Sequence, residues 1–128
     1  MTANVRELYQ LAVAFERNIP EAERGMLSVV TRGALNVKNQ WRANAIATAG
    51  RHARAYPYSI SYDVKAIPGG AQAEIGPDKG RKQGALGNLL EYGSSKNRPH
   101  NDGGRALLTE APRFAAQVAA LTQRLGRL

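Results

Sequence analysis

The chain has 128 residues, and its 18 lysines and arginines against 10 acidic residues give a formal net charge of +8. This length predicts one domain over residues 1–128 with a core of its own, and the lack of cysteine excludes disulfides, thiolate catalysis and cysteine-ligated zinc. Neither a signal peptide at the start nor an apolar window long enough for a membrane span is visible, so we expect no membrane partner.

The charge predicts an anionic partner, because net charge governs association more than specificity. No acidic residue occurs between Arg24 and Tyr62. The partner can be DNA, or an acidic protein subunit with the remaining charge serving solubility, and the sequence leaves both open. The cations fall into one block of Arg24, Arg32, Lys38, Arg42, Arg51 and Arg54, and a second of Lys79, Arg81, Lys82, Lys96, Arg98 and Arg105.

Two helices are predicted before residue 50. A second, longer helix should start at Asn18–Pro20, because Asn can cap a helix and Pro fits its first turn, and should end near Gly50. We interpret the indole of Trp41 as packing on this helix rather than as a base-stacking group. The stripe of the first helix is Val5, Leu8, Leu11, Ala12 and Phe15, and that of the second is Met26, Leu27, Val30, Ala34, Val37, Trp41 and Ala45.

A change to strict alternation at residues 58–66 predicts a strand. Pro68-Gly69-Gly70 supplies the reversal, and a second alternating run leads to Gly76-Pro77, which makes an antiparallel hairpin. We therefore expect an α+β fold, with two or three helices on one face of a small antiparallel sheet. The inward residues should be Tyr58, Ile60, Tyr62, Val64 and Ala66 on one strand, and Ala71, Ala73 and Ile75 on the other.

Residues 78–84 form a charged, glycine-rich loop without an apolar anchor, so we expect it to be mobile until a partner orders it. Its cations Lys79, Arg81 and Lys82 should face DNA or a partner protein. The spacing from Gly76 to Lys82 departs from a phosphate-binding loop, so we expect no nucleotide and no small-molecule substrate.

A long closing helix is predicted from apolar residues at three- and four-residue spacing. Pro112 allows two starts: near Thr109, with the proline in the first turn, or near Asp102, with a kink at the proline. The stripe consists of Leu107, Ala111, Phe114, Val118, Leu121 and Leu125.

Catalysis is not indicated. His52 and His100 have no acidic or histidine partner one helical turn away, and we interpret both as surface residues. Asp63 and Lys65 have a spacing found in some metal-dependent nucleases, but no preceding acid completes that pattern. We expect no enzyme activity, no cofactor and no metal.

The segment Leu89-Leu90-Glu91-Tyr92-Gly93-Ser94 is followed by a polar loop with Lys96 and Arg98 and then by the closing helix. This segment, with the order of elements over residues 20–125, resembles the small head-to-tail joining proteins of long-tailed phages. Members of that family are called tail-completion, tail-terminator or minor tail proteins. The resemblance favours the longer closing helix with a kink at Pro112.

The resemblance implies a structural virion protein, assembled in the host cytoplasm into a ring at the head-to-tail interface. A hexamer is expected, in contact with head-completion and tail-tube proteins, and its lumen would allow non-specific contact with genomic DNA. The hairpin edge could extend the sheet between subunits. Glu91 could pair with a neighbour's arginine, or form a salt bridge or a cap within the chain. The expected subunit contact comprises Leu89, Leu90, Glu91, Tyr92 and Gly93, and the DNA- or partner-facing loops carry Lys79, Arg81, Lys82, Lys96 and Arg98.

The alternative from another class is a free-standing basic DNA-binding protein of phage or bacterial origin. It accounts for the charge equally well. It lacks a recognition element, because the basic residues of the long helix lie on its flank and no helix-turn-helix spacing is visible.

Overall fold

The fold is α+β, as expected, in a computed structural model that describes residues 19–127. The predicted first helix over Val5–Phe15 lies outside the described residues. Short 3₁₀ turns occur at Arg51–Ala53, Tyr56–Ser59 and Gly84–Leu86. The main elements are α1 (Ile19–Thr48), β1 (Ile60–Ile67), β2 (Gly70–Pro77), α2 (Gly87–Tyr92) and α3 (Asp102–Gly126).

The boundaries of α1 follow its sequence signals. The helix begins at Ile19, with Pro20 in its first turn, where a missing N–H costs no helical hydrogen bond. Glu21 lies in the first turn, where a carboxylate opposes the positive end of the helix. The chain leaves the helix after Thr48, and Gly50 takes a φ of 68°. The predicted end of the long helix near Gly50 is therefore confirmed, while its predicted start at Asn18–Pro20 falls at the edge of the described residues.

The hairpin is confirmed, with β1 and β2 joined through Pro68 and Gly69 into a two-stranded antiparallel sheet. Gly69 has a φ of 83°, which favours glycine at this turn position. Gln72 and Glu74 on β2 point outward as the alternation predicts.

The start of the first strand needs a correction. Tyr58 belongs to the 3₁₀ turn Tyr56–Ser59 and is 59% exposed, so it is not an inward strand residue. Pro57 lies within that turn, and its fixed φ favours a turn over an extended strand. Ala66, near the other end of β1, is also exposed. The inward-facing part of this strand is therefore shorter than the alternating run from Tyr58 to Ala66 predicted.

The closing helix adopts the longer of the two predicted forms. Helix α3 begins at Asp102 and contains Pro112 in its interior, as the resemblance implies. Because proline has no N–H, the helix lacks one backbone hydrogen bond at this interior position. In a helix that started near Thr109, Pro112 would lie in the first turn and no such bond would be lost.

Two leucines assigned to core stripes are exposed instead. Leu107 on α3 is 55% exposed, because Ala106 and Glu110 occupy the inward positions of that turn. Leu27 on α1 is 40% exposed, while Ala22, five residues earlier on the same helix, is fully buried. Both corrections have one cause: helical spacing identifies a face of about the right width but not its exact centre.

The described residues group into two compact units. The first comprises residues 19–33, 64–73 and 111–127, and the second comprises residues 34–63 and 74–110. The prediction of a single domain over residues 1–128 stays a prediction. No helix between residues 19 and 127 is long and apolar enough to cross a bilayer. The first unit has a core of Ala22, Leu121 and Leu125 with Met26 and Val29, and the second has a core of Ala45, Ala53, Tyr56 and Ile60 with Trp41, Ala49, Ile75, Leu86 and Leu90.

Candidate functional site

The segment Leu89–Gly93 forms the end of α2 and the turn that follows it. Gly93 ends the helix with a φ of 76°, and its N–H donates to the carbonyl of Leu89 at 2.9 Å. A Cβ at this position would lie 2.7 Å from the carbonyl oxygen of Asn97 and from the nitrogen of Pro99. Both the backbone conformation and the close approach therefore require glycine here.

Glu91 caps the closing helix. Its Oε1 accepts the N–H of Gly103 at 3.0 Å, and its Oε2 accepts the N–H of Gly104 at 3.1 Å. These N–H groups lie in the first turn of α3, where amides have no partner within the helix and where a carboxylate opposes the helix dipole. The side chain is only 8% exposed. The structure therefore supports the cap, one of the roles that the sequence left open.

A second carboxylate lies at the same helix end. Asp102 is 1% exposed and accepts the hydroxyl of Thr48 at 2.9 Å and the guanidinium of Arg105 at 2.6 Å. Its backbone carbonyl accepts the side-chain amide of Asn44 at 3.0 Å. These bonds join the C-terminal end of α1 to the start of α3, so both buried acids of this region have partners within the chain.

In the segment Leu89–Gly93 the charged residue is buried and large apolar residues are exposed, which is the reverse of the usual distribution. Glu91 is buried, whereas Tyr92 is 75% exposed and Leu89 is 41% exposed. Leu90 is half-buried and packs against the core of the second unit. One turn beyond the two amides that Glu91 holds, Leu107 and Leu108 are 55% and 74% exposed.

The five residues expected at a subunit contact therefore differ in accessibility. Leu89 and Tyr92 can be reached from outside, whereas both carboxylate oxygens of Glu91 already bind backbone amides. Leu90 and Gly93 have structural roles in packing and in the turn. A contact between subunits at this segment stays a prediction, and its accessible part consists of the leucine and the tyrosine.

The loop with Lys96 and Arg98 is tied to α2. Its exposed cations lie in and just after a tight turn, in which the N–H of Ser94 donates to the carbonyl of Asn97 at 2.9 Å. The N–H of His100 then donates to the carbonyl of Leu90 at 2.8 Å. His100 is not the surface residue expected, because its side chain is only 26% exposed.

The loop at residues 78–84 has a polar anchor that its composition did not indicate. Gln83 accepts the N–H of Ala55 through Oε1 at 2.7 Å, and it donates through Nε2 to the carbonyl of His52 at 2.8 Å. At the start of the loop, the N–H of Asp78 donates to the carbonyl of Ser59 at 2.8 Å. The loop has no apolar anchor, as expected, but these hydrogen bonds tie it to the segment before the hairpin, and its mobility without a partner stays a prediction.

This anchor brings cations from the two sequence blocks together. Lys79, Arg81 and Lys82 are exposed on the loop, and Arg51 and Arg54 are exposed on the segment that Gln83 holds. Sequence reasoning separated these groups, because a side chain that bonds two backbone groups about 30 residues away leaves no local pattern. Lys96 and Arg98 lie on the different loop described above.

One cation of the first block is structural. Arg42 donates to the carbonyls of Pro57 at 3.1 Å and Ile60 at 3.0 Å, and its guanidinium lies 5.7 Å from the centroid of the Tyr58 ring. Lys38 similarly lies 5.6 Å from the centroid of the Tyr62 ring. Both contacts hold the long helix against the start of the hairpin within the second unit.

Trp41 packs as expected. A Cβ on Gly103 would lie 2.7–2.8 Å from three carbons of the indole, so the ring fills the space beside the first turn of α3. Tyr56 is fully buried in the same core. Burial raises the pKa of Tyr56, and the carboxylates of Glu91 and Asp102 act in the same direction while the indole of Trp41 opposes them.

Asp63 lines a shallow depression together with Glu74 and Asp78. Within residues 19–127, no three histidine, aspartate or glutamate side chains are grouped as a metal ion would need.

No protein-family model, no curated protein and no solved structure matches this chain.

Proposed function

We propose that the chain is a structural subunit of a phage neck, which assembles into a ring that completes or terminates the tail and joins it to the head. The partners of this subunit are copies of itself, an adjacent head-completion protein and the tail-tube protein. The proposal rests on the residues from Leu89 to Ser94 and on the order of helix, hairpin, short helix and closing helix.

A single observation supports the proposal most. The segment that carries the resemblance buries its acid and exposes its aromatic residue, with Tyr92 75% and Leu108 74% exposed. Exposing large apolar side chains costs free energy in an isolated subunit, about 25 cal/mol for each Å² left in water. Leu89 and Tyr92 lie three residues apart on α2, where side chains are neighbours, and paired exposure of this kind is typical of surfaces that pack against another protein. A subunit that is buried in a ring would recover this free energy.

The hairpin offers a second surface for assembly. Its sheet has two strands, so each strand has one edge without a neighbour in the sheet that residues 19–127 form. Such edges carry unpaired N–H and C=O groups and can bind a strand of another chain. Sheet extension from subunit to subunit is therefore compatible with a closed ring.

The test is complementation of a phage whose gene for this chain carries a stop codon at Gln10. We expect the wild-type chain, supplied from a plasmid, to restore the plaque titre, and Tyr92→Lys or Leu108→Lys to fail because a buried lysine disrupts a packed interface. Gln123→Lys is the matched control, since it adds the same charge to an exposed position of α3. Full restoration by both interface variants would contradict the proposal.

A free-standing DNA-binding protein is the second candidate, and the clustering of Arg51 and Arg54 with the loop cations favours it. The two candidates differ in the complementation experiment. A free-standing protein would tolerate a lysine at position 92 or 108, since neither residue would be covered by another subunit.

A further inference from the structure

We propose that five cations of the second unit form one surface that binds the phosphate backbone of double-stranded nucleic acid without sequence preference. This surface, which we name the basic face, consists of Arg51, Arg54, Lys79, Arg81 and Lys82. The inference goes beyond the neck proposal, because a purified subunit should bind a duplex whether or not it forms a ring.

The two segments of the basic face are held together by hydrogen bonds between loop side chains and the backbone of the earlier segment. Gln83 bonds to both Ala55 and His52, which lie within the segment that carries the two arginines. Arg81 also donates to the carbonyl of Tyr58 at 3.3 Å. The loop and the 3₁₀ segment are therefore fixed to each other, and less conformational entropy is lost when a ligand contacts both.

Within the second unit, all of which the structure describes, little negative charge offsets the basic face. Asp78 is the one acid within its two segments, and it lies 3.6 Å from Arg81. Asp63 and Glu74 border it through the depression that they share with Asp78. The remaining acids of the second unit, Glu91, Asp102 and Glu110, are buried. The face therefore keeps a surplus of positive charge towards solvent.

The chemistry of the face favours nucleic acid over an acidic protein. Protein interfaces have apolar centres and few lysines, whereas nucleic-acid interfaces are polar and strongly basic. Residues 51–55 and 78–83, all of which the structure describes, expose no large apolar side chain. The arginines provide flat guanidinium groups that can bind phosphate through two hydrogen bonds. Within residues 51–55 and 78–83 the only helical segment is the 3₁₀ turn Arg51–Ala53, which is too short to read bases from a groove, so backbone contact without base reading is expected.

The experiment measures binding of the purified chain to a fluorescent duplex of roughly 30 mixed-sequence base pairs, by anisotropy, between about 50 and 200 mM NaCl. For each phosphate contact, the slope of log K against log salt changes by about 0.9. We expect Lys79→Ser/Arg81→Ser/Lys82→Ser to reduce the slope by about 2 to 3, and Arg51→Ser/Arg54→Ser to reduce it by about 2.

The control is Arg32→Ser/Lys65→Ser/Arg127→Ser, which removes the same charge from exposed positions of the first unit. It should leave the slope within about 0.5 of the wild-type value. Equal loss in the control and in the loop variant would overturn the basic face, because net charge alone would then account for binding. No binding by the wild-type chain at low salt would overturn it as well.

Gln83 gives a test that leaves the charge unchanged. We expect Gln83→Ala to weaken duplex binding severalfold without a change in charge, because the two halves of the face are no longer held together. The control Gln72→Ala alters an exposed glutamine of β2 and should bind as the wild type. Unchanged binding in Gln83→Ala would remove the positioning role.

Tighter binding to polyglutamate than to polyphosphate would overturn the choice of nucleic acid and indicate an acidic protein.

Discussion

Gly103 lies in the first turn of α3 against the indole of Trp41, and a Cβ there would lie 2.7–2.8 Å from three carbons of the ring. We predict that Gly103→Ala destabilises the protein by about 1–3 kcal/mol, because the added methyl meets a rigid ring whose neighbours leave it little room. This cost should exceed the gain of up to about 1 kcal/mol from the higher helix propensity of alanine. The free energy of unfolding in urea measures the balance.

Gly126 provides the matched control on the same helix. A Cβ at this position would have no neighbour within 4 Å. We expect Gly126→Ala to leave stability unchanged or to raise it slightly. If both substitutions had the same effect, the packing of Trp41 against α3 would be refuted.

The buried hydroxyl of Tyr56 gives stability a dependence on alkaline pH. Burial raises the pKa of Tyr56 in the folded state, so the unfolded chain releases this proton at lower pH than the folded chain does. The stabilising contribution is fully present below the pKa of an unfolded tyrosine, about 10, and it is lost as pH rises towards the folded value.

Tyr56→Phe isolates this effect from the other groups that titrate in the same range. We predict that the wild type loses more stability than the variant when urea unfolding is compared at about pH 8 and pH 11. An equal loss in the two proteins would show that Tyr56 ionises as freely in the folded state as in the unfolded one.

At the scale of elements, Glu91 links the short helix to the closing helix. We predict that Glu91→Ala costs about 2–4 kcal/mol of unfolding free energy, because two buried amides lose a charged acceptor at the positive end of α3. Exposed Glu74 is the control, since Glu74→Ala should cost under about 0.5 kcal/mol. Similar values for the two variants would contradict the cap and return Glu91 to the role of a subunit contact.

Elements could be predicted from the sequence wherever their signals are local. The hairpin follows from alternation around Pro68 and Gly69, and the end of α1 follows from Gly50. Leu27 and Leu107 were assigned to the core wrongly, because the periodicity of a helix does not show which edge of its apolar stripe another element covers. Tyr58 was assigned wrongly because the alternating pattern begins within a proline turn that precedes the strand.

In the molecule as a whole, the sequence did not predict the contacts between residues that are far apart in the chain. Glu91 reaches amides 12 and 13 residues further along, and Gln83 reaches groups 28 and 31 residues back. Neither pairing has a signature in residue spacing, because each depends on how the hairpin and the turns place the backbone. The sequence singled out Lys79, Arg81 and Lys82 as a basic loop, but the link between this loop and the segment of Arg51 and Arg54 depends on the bonds of Gln83 and was visible only in the structure.

The second unit therefore has two kinds of exposed surface with different chemistry. Leu89, Tyr92 and Leu108 are apolar and suit contact with another protein. The five residues of the basic face are charged and suit contact with phosphate. A subunit of a phage neck needs both, since it packs against its neighbours around a passage for DNA. The two surfaces together are the physical basis on which this chain could act as a neck subunit.

Electron microscopy of particles made by a phage with a stop codon at Gln10 of this chain shows whether the chain is needed at the head-to-tail joint. The neck proposal predicts DNA-filled heads beside unattached tails, or tails of uncontrolled length, because the joint between them is missing. Which of these defects appears would distinguish a joining role from a terminating role. Normal joined virions would contradict the proposal and leave the free-standing DNA-binding protein as the better account.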